Sequence, residues 1–512
     1  MIKSMILDYN RLMEKFKDLA VFQSAEMGLV WDTYTMMPPK GIELRSQQLS
    51  LLYLMEHKMR SDAEIGVLLQ RIKRSRQIDE LNEVQRRNVY LIQKRFEEET
   101  KLPDQLVAEI AKQATIATDV WKKAKAIKDY AMFRPELEKV VKLQKKAADI
   151  LMKVKETKTP YDALIDISEP KMTAEAIVKI FDDLKAGLIK LLKKCEAASR
   201  QPDPSVLKPR VPINVQRNLA TALAETIGYD VTSKQAGGRI DPTEHPFTSG
   251  YYDDVRITTH YYEDNFTHSI FAVLHEAGHA LYQQGFKREW MYQPVGSAAS
   301  SGFHESQSRM LENIVGRSPE FWLYFLPKLK QIAGKTLSGL DLDKFVHAIN
   351  QVKPSKIRVE ADEVTYCLHI IIRFNIEREL FADKLTVREL PEAWNQGYHD
   401  YLGVKVEDDS EGVMQDIHWS STRGFGHFIC YALGNIYGGQ MLMAMEKTLP
   451  DWRGQVARGN FNGIKDWLTR KVYSQGNLYD PADLIKKITG KELDVKPYLN
   501  YLNTKYSELY GF

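Results

Sequence analysis

The sequence predicts a mainly α-helical protein that forms one large helical body over its 512 residues, with a small β-sheet next to one helix. Three observations support this prediction. Apolar residues recur at helical spacing along most of the chain, only the segment from Gln235 to Tyr262 has strand character, and no Gly/Ser/Pro-rich linker separates two parts. A hydrophobic fraction of 44% is ordinary for a globular protein and can fill a core of this size.

The helical patterns follow one another along the chain. The first runs from Leu7 through Trp31 and ends before Pro38-Pro39, because proline lacks a backbone donor and restricts the residue before it. Further helical patterns cover about 42–60, 62–75, 80–100, 104–128, 136–156, 173–198, 214–228, 319–333, 341–350, 358–382, 386–402 and 427–447, and continue to the C-terminus.

The middle of the chain differs. Gly237, Pro242 and Gly250 punctuate short runs, and the segment 254–262 is rich in the β-branched and aromatic residues that favour strands. We expect a small sheet here, and an edge strand of that sheet could pair with an extended peptide.

Composition excludes several classes of protein. The 71 Lys and Arg residues nearly balance the 68 Asp and Glu residues, so a net charge of +3 gives no basic surface for nucleic acid or an anionic membrane. Cys195, Cys367 and Cys430 lie far apart and are expected to be buried thiols. Asp8 and Glu14 interrupt the apolar run that a secretory signal needs, and no uncharged stretch reaches membrane-spanning length. These features favour a soluble cytoplasmic protein.

The segment His275-Glu-Ala-Gly-His279 predicts a metal site. It lies in a helical pattern that Asp264-Asn265 can cap and Gly285 can end, so His275 and His279 share one helix face and can bind a single ion. Glu276 is the next residue round the helix. Its carboxylate can therefore take a proton from a water on that ion and act as the catalytic general base.

A catalytic zinc needs a third protein ligand, for which Glu305 is the best candidate. It opens a second helical pattern 26 residues after His279, which leaves room for a loop and a returning helix beside the first. His304 is the rival ligand, and the geometry of a helix favours Glu305. No third His follows His279 at the short spacing seen in some zinc proteases, so two His and one Glu are expected.

Six motifs carry a resemblance to a known family. In chain order they are His245-Pro-Phe247, Asp254-Val-Arg-Ile-Thr258, His275-Glu-Ala-Gly-His279, His304-Glu-Ser-Gln307, Ile357-Arg-Val-Glu-Ala-Asp362 and Gly412-Val-Met-Gln-Asp-Ile-His-Trp419. With Trp31–Pro38 near the start, they resemble the M32 metallocarboxypeptidases of the thermostable carboxypeptidase Taq type over essentially the whole chain. His260 departs from the resemblance, because relatives often have Arg there.

The resemblance implies a single metallocarboxypeptidase domain over 1–512. A deep active-site cleft would separate an N-terminal helical wall, about 1–230, from a second wall, about 231–512, that contains the metal site and a three-stranded sheet. It also implies a homodimer with one zinc or cobalt ion per subunit. Such an enzyme removes C-terminal residues of broad type from peptides by metal-activated water attack.

Several residues are candidates for contacts with a peptide that has a free C-terminus. Arg358 is preferred for its terminal carboxylate and Arg256 is the alternative, since a planar guanidinium can bind a carboxylate through two hydrogen bonds; either could instead hold a structural carboxylate such as Asp362. His418 and Tyr401 are candidate donors to the tetrahedral oxyanion. His245 is a further candidate substrate contact.

Three functions compete at this point. A metallocarboxypeptidase and an endo-acting metallo-oligopeptidase would use the same metal site, but only the first needs to recognise a terminal carboxylate. A non-enzymatic peptide-binding protein with a structural zinc is the third. Structural zinc sites take all four ligands from the protein and have no need of Glu276, which favours an enzyme.

Overall fold

Helices make up about 70% of the chain in the computed structural model, which describes residues 2–76, 78–422 and 424–512. The fold class predicted from the sequence is confirmed: the protein is mainly α, and its small sheet contacts the helix that contains His275. None of the described helices is both long enough and apolar enough to cross a membrane.

The region before the sheet consists of helices joined by short connections, and its amphipathic elements show why they form. In Ala63–Arg74, the buried residues Ile65, Leu68, Leu69 and Ile72 share one face, and Asp62 caps the helix by accepting from Glu64 N–H. The helices of this region are α1 (Ile2–Thr35), α2 (Ile42–Arg60), α3 (Ala63–Arg74), α4 (Glu83–Lys101), α5 (Asp104–Ile127), α6 (Tyr130–Lys155), α7 (Pro160–Ser168), α8 (Ala174–Ala197) and α9 (Ile213–Thr226).

The sheet contains β1 (Ile240–Pro242), β2 (Thr248–Tyr251) and β3 (Asp254–Thr259) in the order β1-β3-β2. Strand β3 pairs in parallel with β1 and antiparallel with β2, so that Ile257 lies opposite both Ile240 and Thr248. The predicted strand 254–262 is therefore the central one and ends at Thr259. The two edges belong to β1 and β2, and β2 contacts both α1 and α10 (Phe266–Gln284).

The region after α10 is again helical and supplies most of the buried apolar residues. Its helices are α11 (Ser301–Arg309), α12 (Pro319–Ala333), α13 (Leu342–Ile349), α14 (Tyr366–Phe381), α15 (Leu390–Leu402), α16 (Ile429–Thr448), α17 (Trp452–Ala457), α18 (Asn462–Lys471), α19 (Pro481–Thr489) and α20 (Lys496–Tyr510). A π-helical turn, Met310–Val315, extends α11.

Three elements differ from the sequence-based prediction. Helix α6 begins at Tyr130, before Pro135, because Asp129 caps it by accepting from Ala131 and Met132 N–H. The pattern at 358–382 is not one helix: Arg358–Glu360 forms a short 3-10 turn, and the Asp362 carboxylate then stabilises a turn before α14 by accepting from Val364 and Thr365 N–H. Helix α7 was not predicted.

Two hydrophobic clusters form the described core. The larger one extends from Ala117 to Tyr510 and includes the apolar residues of the sheet and of α10. The smaller one joins α1, α3 and α4 through residues such as Leu12, Leu69 and Ile92. The larger core thus draws on residues before and after position 230, and it fixes α10, α11 and α16 relative to one another.

Candidate metal centre

Helix α10 holds the predicted metal ligands on one face. Its opposite face is fully buried, with Val273, Leu274 and Ala277 in the main core, so the helix cannot turn to move the two histidines. Asn265 lies at the start and Gly285 at the end, as predicted, although the Asn265 side chain makes no cap hydrogen bond.

Close contact between helices brings Glu305 to this face. A Cβ on Gly278 of α10 would lie 2.5 Å from the Gln307 carbonyl oxygen of α11, and a Cβ on Gly434 of α16 would lie 2.6 Å from Glu305 Cγ. Helix α11 therefore fits between α10 and α16 only because both neighbours have glycine at the contact. This close fit places Glu305 opposite His275 and His279.

His275, His279 and Glu305 form the donor group that the sequence predicts for a metal. One ligand atom from each lies within 4.8 Å of the others. Glu305 Oε2 is 3.8 Å from His275 Nε2 and 3.6 Å from His279 Nε2. Each imidazole is oriented by its other nitrogen: His275 Nδ1 lies 2.8 Å from Glu312 Oε2, and His279 Nδ1 lies 2.9 Å from the His304 carbonyl oxygen.

These contacts are what a metal site requires. Because both acceptors favour a proton on Nδ1, each Nε2 keeps a lone pair that faces the Glu305 carboxylate. Two imidazole nitrogens and one carboxylate oxygen are a common ligand set for catalytic zinc, and imidazole also suits cobalt. The residues therefore fit a single divalent ion.

Two arginines keep the carboxylates of this centre ionised. Arg309 Nε donates to Glu305 Oε1 at 2.7 Å, and Arg309 and Arg317 both contact Glu312. Burial opposes ionisation of Glu305, but the positive charge of Arg309 beside it holds the pKa of Glu305 below its usual value. Burial likewise raises the pKa of Glu312, yet Arg309 and His275 bring it down to about 2. Glu312, which the sequence analysis missed, lies in the π-helical turn, a feature that often occurs at functional sites.

Glu276 is buried beside the donor group and contacts the sheet. Thr248 Oγ1 of β2 donates to Glu276 Oε2 at 2.5 Å and lies 3.0 Å from the Glu276 carbonyl oxygen. The second carboxylate oxygen takes no hydrogen bond from the described residues. It can therefore accept a proton.

His304, the rival ligand, lies next to the donor group but outside it. Its ring stacks on His279 with 4.2 Å between ring centroids, and its Nε2 contacts the Gln283 side chain at 3.1 Å. Burial lowers the pKa of His304 well below its ordinary value. Its backbone orients His279, while its neutral ring packs on the same histidine.

A cavity of about 540 Å³ opens beside the centre. His279, His304 and Glu305 line it together with residues from the end of α7, the segment 297–301 and the start of α16. His427 and Tyr431 lie at the α16 side. Sequence reasoning missed both residues, because no short motif links them to the metal ligands and only the fold brings them within reach.

Arg358 and His418 lie in a buried polar cluster behind Tyr431. Arg358 Nη2 donates to Asp416 at 2.8 Å, and Arg373 Nε donates to the other oxygen of the same carboxylate at 2.6 Å. Asp362, the alternative partner proposed for Arg358, instead accepts from Val364 and Thr365 N–H in the turn before α14. His418 Nε2 lies 3.3 Å from the Tyr431 hydroxyl, and burial lowers the pKa of His418 to about 4, so this imidazole is neutral at physiological pH.

The remaining candidates do not line the cavity beside the donor group. Arg256 pairs with Asp254 through two 2.7 Å hydrogen bonds and lies over Trp31, and His245 is exposed in the loop between β1 and β2. Tyr401 lines a separate cavity between α8, α14 and α15, where its hydroxyl accepts from Asn375 Nδ2. His260 Nδ1 lies 2.8 Å from the Thr243 carbonyl oxygen.

Comparison with known proteins gives a consistent result. Residues 11–506 match the family described as carboxypeptidase Taq (M32) metallopeptidase. The chain is 39% identical over 510 residues to thermostable carboxypeptidase 1 of Thermus thermophilus, covering 98% of this chain and 99% of that protein. It is 38% identical over 499 residues to carboxypeptidase 1 of Bacillus subtilis, covering 96% of this chain and 97% of that protein.

The fold agrees with solved structures. The M32 carboxypeptidase from Deinococcus radiodurans R1 superimposes with a TM-score of 0.94 at 36% identity, and the match covers 99% of this chain and 100% of that one. These similarities do not favour an endo-acting oligopeptidase or a non-enzymatic zinc protein. The chain belongs to the carboxypeptidase Taq (M32) family of metallopeptidases and is a metal-dependent carboxypeptidase.

Proposed function

We propose that each subunit binds one zinc ion, with cobalt as the alternative, through His275, His279 and Glu305, and uses it to remove C-terminal amino acids of broad type from peptides. The observation that carries this proposal is the donor group itself, in which two oriented imidazoles face one carboxylate next to Glu276. The ion would polarise the scissile carbonyl and increase the acidity of the attacking water.

Glu276 acts as the general base and then as the general acid. Because Thr248 donates to Oε2, the other oxygen, Oε1, takes the proton from the attacking water. The same oxygen then gives that proton to the amine of the departing residue. Strand β2 thus orients the base.

Tyr431 is the donor to the oxyanion, and His418 positions it. The Tyr431 side chain lines the cavity that contains Glu305, whereas His418 reaches the cavity only through its contact with the Tyr431 hydroxyl. An O–H donor aimed at the position where negative charge develops stabilises the tetrahedral state more than the planar substrate. The sequence predicted His418 or Tyr401 as the donor to the oxyanion; we assign this role to Tyr431 instead.

Arg358 recognises the terminal carboxylate of the substrate. Arg358 and Arg373 share the carboxylate of Asp416, so the hydrogen-bonded group of these three side chains has two guanidinium charges for one carboxylate charge. Burial makes the excess positive charge effective in attracting an anion. Arg256, by contrast, already forms a bidentate pair with the largely exposed Asp254, which satisfies its charge.

Replacement of Arg358 by Ala should lower kcat/KM on peptides with a free C-terminus, since a buried charge-assisted contact is lost. The decrease should correspond to a loss of about 2 to 5 kcal/mol in transition-state stabilisation. Peptides with an amidated C-terminus lack the partner charge, so the parent should cleave them poorly. Arg358→Ala should lower kcat/KM on these peptides little further. Kinetics of parent and variant on matched acid and amide peptides measure the coupling.

Arg256→Ala is the matched control for this experiment. We expect it to affect acid and amide substrates equally. Equal losses on both substrates for Arg358→Ala would instead indicate a structural role for Arg358, and acid-specific losses confined to Arg256→Ala would transfer carboxylate recognition to that residue.

We also propose that the protein is a cytoplasmic homodimer. In each subunit, residues 1–512 form one domain, and its cleft lies between helical walls of about 1–230 and 231–512. Helix α2, fully described, has no buried residue, and Leu44, Leu51 and Leu54 are among its exposed apolar side chains. A face of this kind is typical of an interaction surface. All three cysteines are free, which suits a reducing compartment. Light scattering should give about twice the chain mass of 59.0 kDa; the mass of a single chain would rule out the dimer.

A further inference from the structure

His427 lines the active-site cavity with Glu305 and Tyr431 but has no part in the mechanism above. It precedes α16 and belongs to none of the six motifs, so no sequence pattern selects it. The Glu305 charge acts on its imidazole. The ring thus lies within electrostatic range of Glu305, one of the proposed metal ligands.

The backbone around His427 is held firmly. Gly426 has a φ of +75°, its N–H donates to Glu377 Oε2 at 2.8 Å, and a Cβ there would lie 2.7 Å from the Leu164 carbonyl carbon of α7. The His427 carbonyl oxygen accepts from Cys430 N–H at 3.0 Å, at the first turn of α16. The position of the imidazole is therefore set by α7 on one side and α16 on the other.

The two nitrogens of the imidazole have different surroundings. His427 Nδ1 lies 3.1 Å from the Ser168 hydroxyl at the end of α7. The ring is half-buried, makes an edge contact with Tyr431 at 5.5 Å between centroids, and its Nε2 has no hydrogen-bond partner among the described residues. Nε2 is therefore the polar atom that His427 offers to a molecule in the cavity.

The Ser168 hydroxyl can fix which nitrogen has the proton, because it can donate a hydrogen bond to Nδ1. Burial lowers the pKa of His427, so the ring is neutral at physiological pH and has one N–H. When the Ser168 hydroxyl donates to Nδ1, the proton is on Nε2. The N–H then points away from Ser168, and it is a donor without an acceptor in the described part of the protein.

We propose that His427 Nε2–H donates a hydrogen bond to a backbone carbonyl oxygen of the bound peptide, and that Ser168 is the positioning residue that keeps the proton on Nε2. A peptide carbonyl is the acceptor that every substrate of a carboxypeptidase has, whatever its side chains. This proposal rests on the proposed function of the cavity. It adds a substrate contact from the segment just before α16, which the metal, Glu276 and Tyr431 do not provide.

Substitutions at position 427 can separate the two nitrogens. The amide nitrogen of Gln reaches about as far as Nε2, whereas that of Asn reaches only as far as Nδ1. We expect His427→Leu and His427→Asn to lower kcat/KM by about 10- to 100-fold, the usual effect of losing one hydrogen bond in a buried site, and His427→Gln to recover most of the activity. Metal content and melting temperature should match the parent in all three variants.

Binding without turnover is the second readout. In a Glu276→Gln background, the Kd of a blocked dipeptide with a free C-terminus, measured by calorimetry, should rise by about tenfold with His427→Leu and return with His427→Gln. Ser168→Ala should weaken binding when His427 is present and have no effect in the His427→Gln variant, because a glutamine side chain has no tautomer to fix.

Several results would overturn this proposal. They are unchanged kcat/KM in His427→Leu, equal recovery by Asn and Gln, loss of the metal on substitution, or an equal effect of Ser168→Ala with and without the His427→Gln substitution. A parent enzyme that hydrolyses no peptide even when loaded with metal would instead contradict the proposed function, so the two failures can be told apart.

Discussion

Replacement of Glu276 by Gln should lower turnover by about 10²- to 10⁴-fold while the metal content stays near that of the parent. Gln has the same shape and can still accept the hydrogen bond from Thr248, so the packing between α10 and β2 is kept. It cannot take a proton from water at neutral pH. The chemical step is therefore lost without loss of the site.

Three measurements define this result. Metal analysis should give one equivalent for both proteins, the melting temperatures should agree, and kcat should fall while KM changes little, since the role proposed for Glu276 is in the transition state. Thr248→Val is a useful companion, because it removes the bond that orients the base and should cause a smaller loss. Retention of most activity in Glu276→Gln would show that another group is the base.

The Glu305→Ala variant should lose the metal as well as the activity. It removes one of the three proposed protein ligands. The loss of metal affinity should therefore be larger than the loss of about 10- to 100-fold that is typical when a residue that only orients a ligand is removed. His304→Ala is the matched control at the neighbouring position, because His304 stacks on His279 without joining the donor group. Metal stoichiometry after dialysis distinguishes the two variants.

Each outcome for this pair of variants has a distinct meaning. We expect His304→Ala to hold one equivalent of zinc and Glu305→Ala to hold almost none at the same free-metal concentration. If the Glu305→Ala protein retains one equivalent of zinc, another residue is the third ligand. If only His304→Ala loses the metal, that ligand is His304.

The sequence was most informative where the chemistry depends on local spacing. Two histidines one helical turn apart must share a face of α10, and Glu305 could be selected because a returning helix brings a carboxylate back to that face. Most helices were predicted for the same reason: the spacing of their apolar residues is a local property, as in α2 and α3. The central strand of the sheet was also visible in its β-branched residues.

Contacts between distant segments could not be predicted in this way. Asp362, four residues after Arg358, was predicted as a possible partner of Arg358. That pairing requires a helix over these residues. The chain forms no continuous helix there, because the Asp362 carboxylate stabilises a turn before α14, and Arg358 pairs with Asp416, 58 residues away. His427, Tyr431 and Ser168 meet the metal ligands only because glycines at 278, 426 and 434 permit close packing of helices.

The measurement that tests the central claim most directly is digestion of a peptide of about ten residues, followed by mass spectrometry over time. The metal-loaded protein should produce a ladder in which residues leave one at a time from the C-terminus. A chelator should stop the ladder, zinc or cobalt should restore it, and amidation of the C-terminus should suppress it. Internal fragments, or a ladder that persists without metal, would contradict the assignment of this protein as a metal-dependent carboxypeptidase.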